Sequence, residues 1–251
     1  IYDDQGSSLP NSARSEVLRL FDRPNLVLTN VAFSARDRVK MRSTIKRAMA
    51  ANQTEADIID YPQKDNRIYE DLILSYAGEG RALFWFGDFG DKHVTPILGK
   101  FLDKGGHLFL ASRGGASMHG LKDLAGKYLF TSVGSNASSS LVSLISNRGM
   151  DYSFNGRTLN HRKLSPESPA VPLVVGTDGQ IAGIHVANGG YRAVYYSFDA
   201  ANVGNAENLL KESVGLLREN LNQEAVLEIP GAFLSDRGTV LLAGVEQSIR
   251  V

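Results

Sequence analysis

The stretch Gly80–Gly115, GRALFWFGDFGDKHVTPILGKFLDKGGHLFLASRGG, decides the architecture. Within it, ALFWF (Ala82–Phe86) and HLFLA (His107–Ala111) are short apolar runs with no polar alternation. A strand with one face in water alternates; a strand covered on both faces does not. Between the two runs, Val94, Ile97, Leu98, Phe101 and Leu102 fall at helical spacing and make one apolar stripe. Thr95-Pro96 predicts the helix start, through a hydroxyl cap and a proline at the first helical position. Gly105-Gly106 predicts its end. Strand, loop, helix, strand and loop together read as a right-handed crossover between parallel strands.

The pattern extends upstream. Ile1-Tyr2 reads as a strand entering the acidic turn Asp3-Asp4-Gln5-Gly6. Asn11 or Ser12 caps a helix bearing Val17, Leu18 and Phe21, stopped by Pro24. LVLTNVAF (Leu26–Phe33) and ADIIDY (Ala56–Tyr61) are further strands, with a helix between them. Ile68, Leu72 and Ile73 predict another helix closing at Gly78. Five strands alternating with four helices predict an α/β fold with a doubly wound, mostly parallel sheet.

Downstream the signals change. Leu121 to Leu129 reads as a short helix and an edge strand, and Ser138 to Ser146 as a helix. Asn155-Gly156 is a hairpin-turn pair. PLVVGT, AGIHVA and YRAVYYSF, separated by Asp178-Gly179 and Asn188-Gly189-Gly190, predict an antiparallel C-terminal portion. A last helix starts near Asn205, with Ala206, Leu209, Leu210, Val214, Leu217 and Leu221 on one face. Residues 223–251 carry β-like runs and Gly/Pro turns, a β extension or the start of a further domain.

Composition excludes several classes of function. The chain has 251 residues, 43% of them hydrophobic, enough for a packed core. Lys+Arg and Asp+Glu are both 27, so no net charge draws it to nucleic acid or an anionic membrane. The basic run Arg36–Arg47 carries Met41, Ile45, Ala48 and Met49 at helical spacing, and reads as an amphipathic helix with a solvated face. With no cysteine there is no thiolate nucleophile, disulfide or Cys-ligated metal. No apolar run approaches the roughly 20 residues of a membrane span. The chain opens on Ile1, from which we expect a piece of a longer protein.

YDDQG, ALFWFGDF, GGHLFLAS, GYRAVYYSFD and NAENLLKESVGLL, in that order, resemble the class I glutamine amidotransferase-like fold, a flavodoxin-like arrangement. The resemblance covers Ile1 to Leu221 and implies one domain over residues 1–222. Catalytic members carry a Cys on a tight turn after a central strand, with a His and a Glu further on. Here the turn after HLFLA offers Ser112, Arg113 and Gly114, and no His-x-Glu follows. The resemblance therefore implies a non-catalytic variant, as found in bacterial secreted or surface multidomain proteins.

Each candidate site has a plainer explanation beside it. Ser112, or Ser117 with His119, would serve a hydrolase, but no Gly-x-Ser-x-Gly elbow or orienting acid is legible. Asp3, Asp4, Asp88 and Asp91 fall in loops at the edge where such sheets bind ligands. Of these, Asp3, Asp4 and Asp88 would hold a divalent cation, yet aspartate is also an ordinary turn residue. Arg113 beside Gly114-Gly115 would take an anion or stay solvated. His93, His107, His119, His161 and His185 show no zinc-ligand spacing. Asn52-Gln53-Thr54 and Asn136-Ala137-Ser138 fit the glycosylation sequon.

The leading expectation is a non-catalytic interaction or structural domain without a cofactor. Its partners are other domains of its parent protein or separate proteins, with no nucleic acid and no membrane insertion. The expected location is extracellular or the cell surface, with the cytoplasm left open. The alternative is a hydrolase, or a metal- or small-ligand-binding domain, using the acidic and serine residues at the sheet edge.

Overall fold

The computed structural model describes residues 23–30, 35–61, 67–78, 81–88, 93–114, 118–144, 158–200 and 203–218. Strands β1 (Asn25–Asn30), β2 (Ala56–Tyr61), β3 (Ala82–Phe86) and β4 (His107–Ala111) alternate with helices α1 (Ala35–Ala51), α2 (Arg67–Ser75) and α3 (Val94–Asp103). After α4 (Met118–Tyr128) come β5 (Thr131–Ser139), β6 (Leu141–Ser143), β7 (Leu159–Pro166), β8 (Val171–Gly176), β9 (Ile181–Asn188) and β10 (Tyr191–Tyr196). Helix α5 (Ala206–Arg218) follows.

These strands form one sheet in the order β2-β1-β3-β4-β10-β9-β7-β5, with β8 joining β9 and β6 off that path. From β2 to β10 the neighbours are parallel. From β10 outward they are antiparallel. The α/β fold expected from the sequence is the one observed, with its antiparallel portion where the hairpin signals lie.

Two helical layers explain the unbroken apolar strands. Leu83 and Trp85 of β3 pack with Ile73 of α2, Leu98 and Phe101 of α3, and Leu121 of α4. Phe84 and Phe86 face the other way, onto Ile45 and Met49 of α1 and Leu210 and Val214 of α5. Phe84 and Phe109, on adjacent strands, stack with centroids 5.3 Å apart. The basic helix is amphipathic as expected, with Met41, Ile45, Ala48 and Met49 buried and Lys46 and Arg47 exposed.

Three local expectations are corrected. Helix α3 begins at Val94 with His93 at the N-cap position and no side-chain capping hydrogen bond, so Thr95 lies inside the first turn, buried. Its far end is as expected. Gly105, at φ +80°, donates its N–H to Leu102 O, and Gly106 donates to Phe101 O, which caps the helix end. Leu121–Tyr128 is helical with no edge strand, and the next strand starts at Thr131. Ser138–Ser143 belongs to β5 and β6, not to a helix. Its local pattern would suit a helix, and cross-strand partners on β7 and β8 decide for strand. The start at Ile1, the helix of residues 11–21, the turn Asn155-Gly156 and the segment 223–251 lie outside the described residues.

Candidate functional site

In a doubly wound sheet, ligands bind beyond the carboxyl ends of the strands. Here that edge is built by the residues after β3, β4 and β10. Gly87, at φ +110°, turns the chain after β3 and donates its N–H to Ala111 O. Asp88 follows. After β4 come Ser112, Arg113 and Gly114, and the Ser112 N–H donates to Tyr196 O of β10.

The side chains at this edge bind one another. Asp88 Oδ1 accepts the Arg113 N–H at 2.7 Å and the Ser112 hydroxyl at 3.3 Å. Ser112 Oγ in turn accepts the Gly114 N–H at 3.0 Å. The Arg113 guanidinium stands 4.0 Å from Asp88 Oδ2. Beneath them, the Tyr195 hydroxyl donates to Ser112 O at 3.2 Å. Burial pushes that hydroxyl far above its ordinary pKa, so it stays a proton donor.

Ser112 therefore has no idle hydroxyl. It is 2% exposed, with one bond donated and one accepted. A nucleophile elbow needs its nucleophile on a strained turn. Among the described residues, only Gln53 and Phe130 have positive φ without being glycine. Ser112 and Arg113 thus turn without that strain.

The remaining expected residues scatter. His119, in the first turn of α4, has a side chain 93% exposed and sits 3.7 Å from Asp123, four residues on. Ser117, Asp3, Asp4 and Asp91 lie outside the described residues. Among the described residues, no group of three or more His, Asp or Glu side chains is placed to hold a metal. His107 and His185 are strand residues, as expected from HLFLA and AGIHVA, and His161 lies on β7. Asn52 gives its amide to Ala48 O and Lys211 O, whereas Asn136 is exposed on β5.

One residue at this edge is absent from the sequence-based candidates. Arg162 of β7 donates Nε–H to Arg113 O at 3.0 Å. Its main chain is held by Ser197, just past β10, through Arg162 N–H to Ser197 O and Ser197 Oγ to Arg162 O. No sequence signal marks Arg162, because β7 reaches the edge only through antiparallel pairing that returns from far along the chain.

No family model matches the chain, and no curated protein does. Solved structures do. An exo-β-1,4-mannosidase from Opitutaceae bacterium strain TAV5 superposes with a TM-score of 0.55 at 12% identity, over 87% of this chain and 41% of that one. A β-galactosidase from the haloarchaeon Halorubrum lacusprofundi gives 0.48 at 13% identity, over 78% of this chain and 30% of that one. A Thermoplasma acidophilum protein assigned as a component of GMP synthase gives 0.46 at 10% identity, over 78% of this chain and 94% of that one. The likeness to the mannosidase is one of fold. The chain spans well under half the length of that enzyme.

Proposed function

We propose that this chain is a non-catalytic α/β module of a larger protein, with a structural or interaction role. The state of Ser112 carries the reading. It stands where the amidotransferase-like fold holds its nucleophile, yet its hydroxyl is buried and bonded on both sides. A nucleophile needs an adjacent base and an open approach. Ser112 has a carboxylate partner, but that carboxylate also holds the backbone of Arg113. We read the group as a tie between two loops. The length relation to the mannosidase also supports a module among other domains, since 87% of this chain corresponds to 41% of that enzyme.

Treatment with a fluorophosphonate serine probe, followed by peptide mapping, tests this reading. The expected result is no label on Ser112, with Ser112→Ala lowering the melting temperature through loss of the loop tie. Stoichiometric labelling of Ser112 that disappears in Ser112→Ala would overturn it.

A further inference from the structure

The carboxyl edge of the sheet holds two arginines whose guanidinium groups are not used up by the described residues. Arg113 has only the 4.0 Å approach to Asp88 among them, and its side chain is 45% exposed. Arg162 is half-buried and spends Nε–H on Arg113 O, while Nη1 and Nη2 have no partner among the described residues. Ser197 clamps the Arg162 main chain from both its N–H and its carbonyl. The Nε bond then aims the planar head at the loop after β4. Ordering such a long side chain costs entropy, and here it is already ordered. A half-buried cation without a counter-ion is also costly, and an anion from solution relieves that cost.

We infer that Arg113 and Arg162 form a binding site for a small oxyanion with two acceptor oxygens, a carboxylate or a phosphate group. Nη1 and Nη2 of Arg162, unpartnered among the described residues, present the fork that matches such a pair of oxygens. Arg113 adds a second positive charge from the neighbouring loop. The placement agrees with where doubly wound sheets take ligands. Asp88 Oδ1 is occupied by Arg113 N–H and Ser112 Oγ, and orients the loop that carries Arg113. The site needs no catalysis and stands apart from the state of Ser112.

Calorimetric titration with sodium malonate and with inorganic phosphate tests it, with chloride at matched ionic strength as the blank. The expected result is saturable one-site binding of at least one probe. Arg162→Gln and Arg113→Gln should each weaken it about tenfold or more, while Lys122→Gln, an exposed cation on α4, leaves it unchanged. Circular dichroism of each variant separates lost binding from lost folding. Should Arg162→Gln unfold, Arg113→Gln decides alone. Tighter malonate assigns a carboxylate ligand; tighter phosphate assigns a phosphate ligand. Absence of saturable binding of either probe, or equal binding in Arg113→Gln, would overturn the site. Serine labelling is read separately, so failure here leaves the non-catalytic reading intact.

Discussion

The Asp88 carboxylate accepts the backbone N–H of Arg113 at 2.7 Å, across 25 positions of chain. That single bond joins the loop after β3 to the loop after β4, and the Ser112 hydroxyl reinforces it. Asp88→Ala removes the acceptor from both donors. The loss should be about 1–3 kcal/mol, the usual penalty for donors left without a partner. Chemical denaturation measures it. Asp88→Asn keeps one acceptor oxygen and should cost less. Millimolar Ca²⁺ or Mg²⁺ should leave the melting temperature of the unmodified protein unchanged. A metal-dependent rise abolished by Asp88→Asn would restore the cation site read from Asp3, Asp4 and Asp88.

Helix α3 offers the clearest packing test. Leu98 and Phe101 are both 0% exposed and sit in the layer that covers Leu83, Trp85, Leu108 and Leu110. Truncating either to alanine leaves a cavity beside a rigid sheet. Leu98→Ala and Phe101→Ala should each cost about 2–5 kcal/mol. A loss within the range of surface substitutions, about 0.5 kcal/mol, would contradict the placement of this helix.

Gly114 is needed for its backbone and for its lack of a side chain. Its φ of +97° disfavours any residue with a Cβ, and an added Cβ would run into Met118 Sδ. Gly114→Ala should destabilise by about 1–3 kcal/mol. It should also shift the loop that carries Arg113. Thermal unfolding reads the first effect, and anion titration reads the second.

His185 predicts the acid response. Burial first, and the charge of Arg192 second, lower its pKa from 6.5 to about 4. Its Nε2 is buried without a hydrogen-bond partner, which favours the neutral ring. The unfolded chain takes up a proton at this residue below about pH 6.5, while the folded chain does not until about pH 4. The contribution is therefore complete above pH 6.5 and is lost as pH falls, levelling near pH 4. Between pH 7 and pH 5 the loss should be about 2 kcal/mol. Urea unfolding at the two pH values measures it. His185→Phe should flatten that part of the profile, and an unchanged slope would exclude His185 as its source.

Much of the architecture is written locally. ALFWF, and the LFLA that follows His107, carry no polar residue to turn to water, so both had to lie inside a sheet covered on two sides, and they do. The stripe Val94–Leu102 had one apolar face, and the Gly105-Gly106 cap followed from backbone geometry alone. The hairpin signals at Asp178-Gly179 and Asn188-Gly189-Gly190 set β8, β9 and β10 antiparallel. These features depend on residues a few positions apart, so periodicity and turn chemistry reveal them.

Non-local pairing decided the rest. Ser138–Ser143 is strand because β7 and β8 supply its hydrogen bonds, and no local pattern announces those partners. The commitment of Ser112 depends on Asp88, 24 positions away. Arg162 meets Arg113 from 49 positions away, on a strand that returns beside the end of β10. Residue types near Ser112 were legible in the chain. Whether its hydroxyl was free, and which cation stood beside it, depended on long-range contacts, and these exist only once the sheet has assembled.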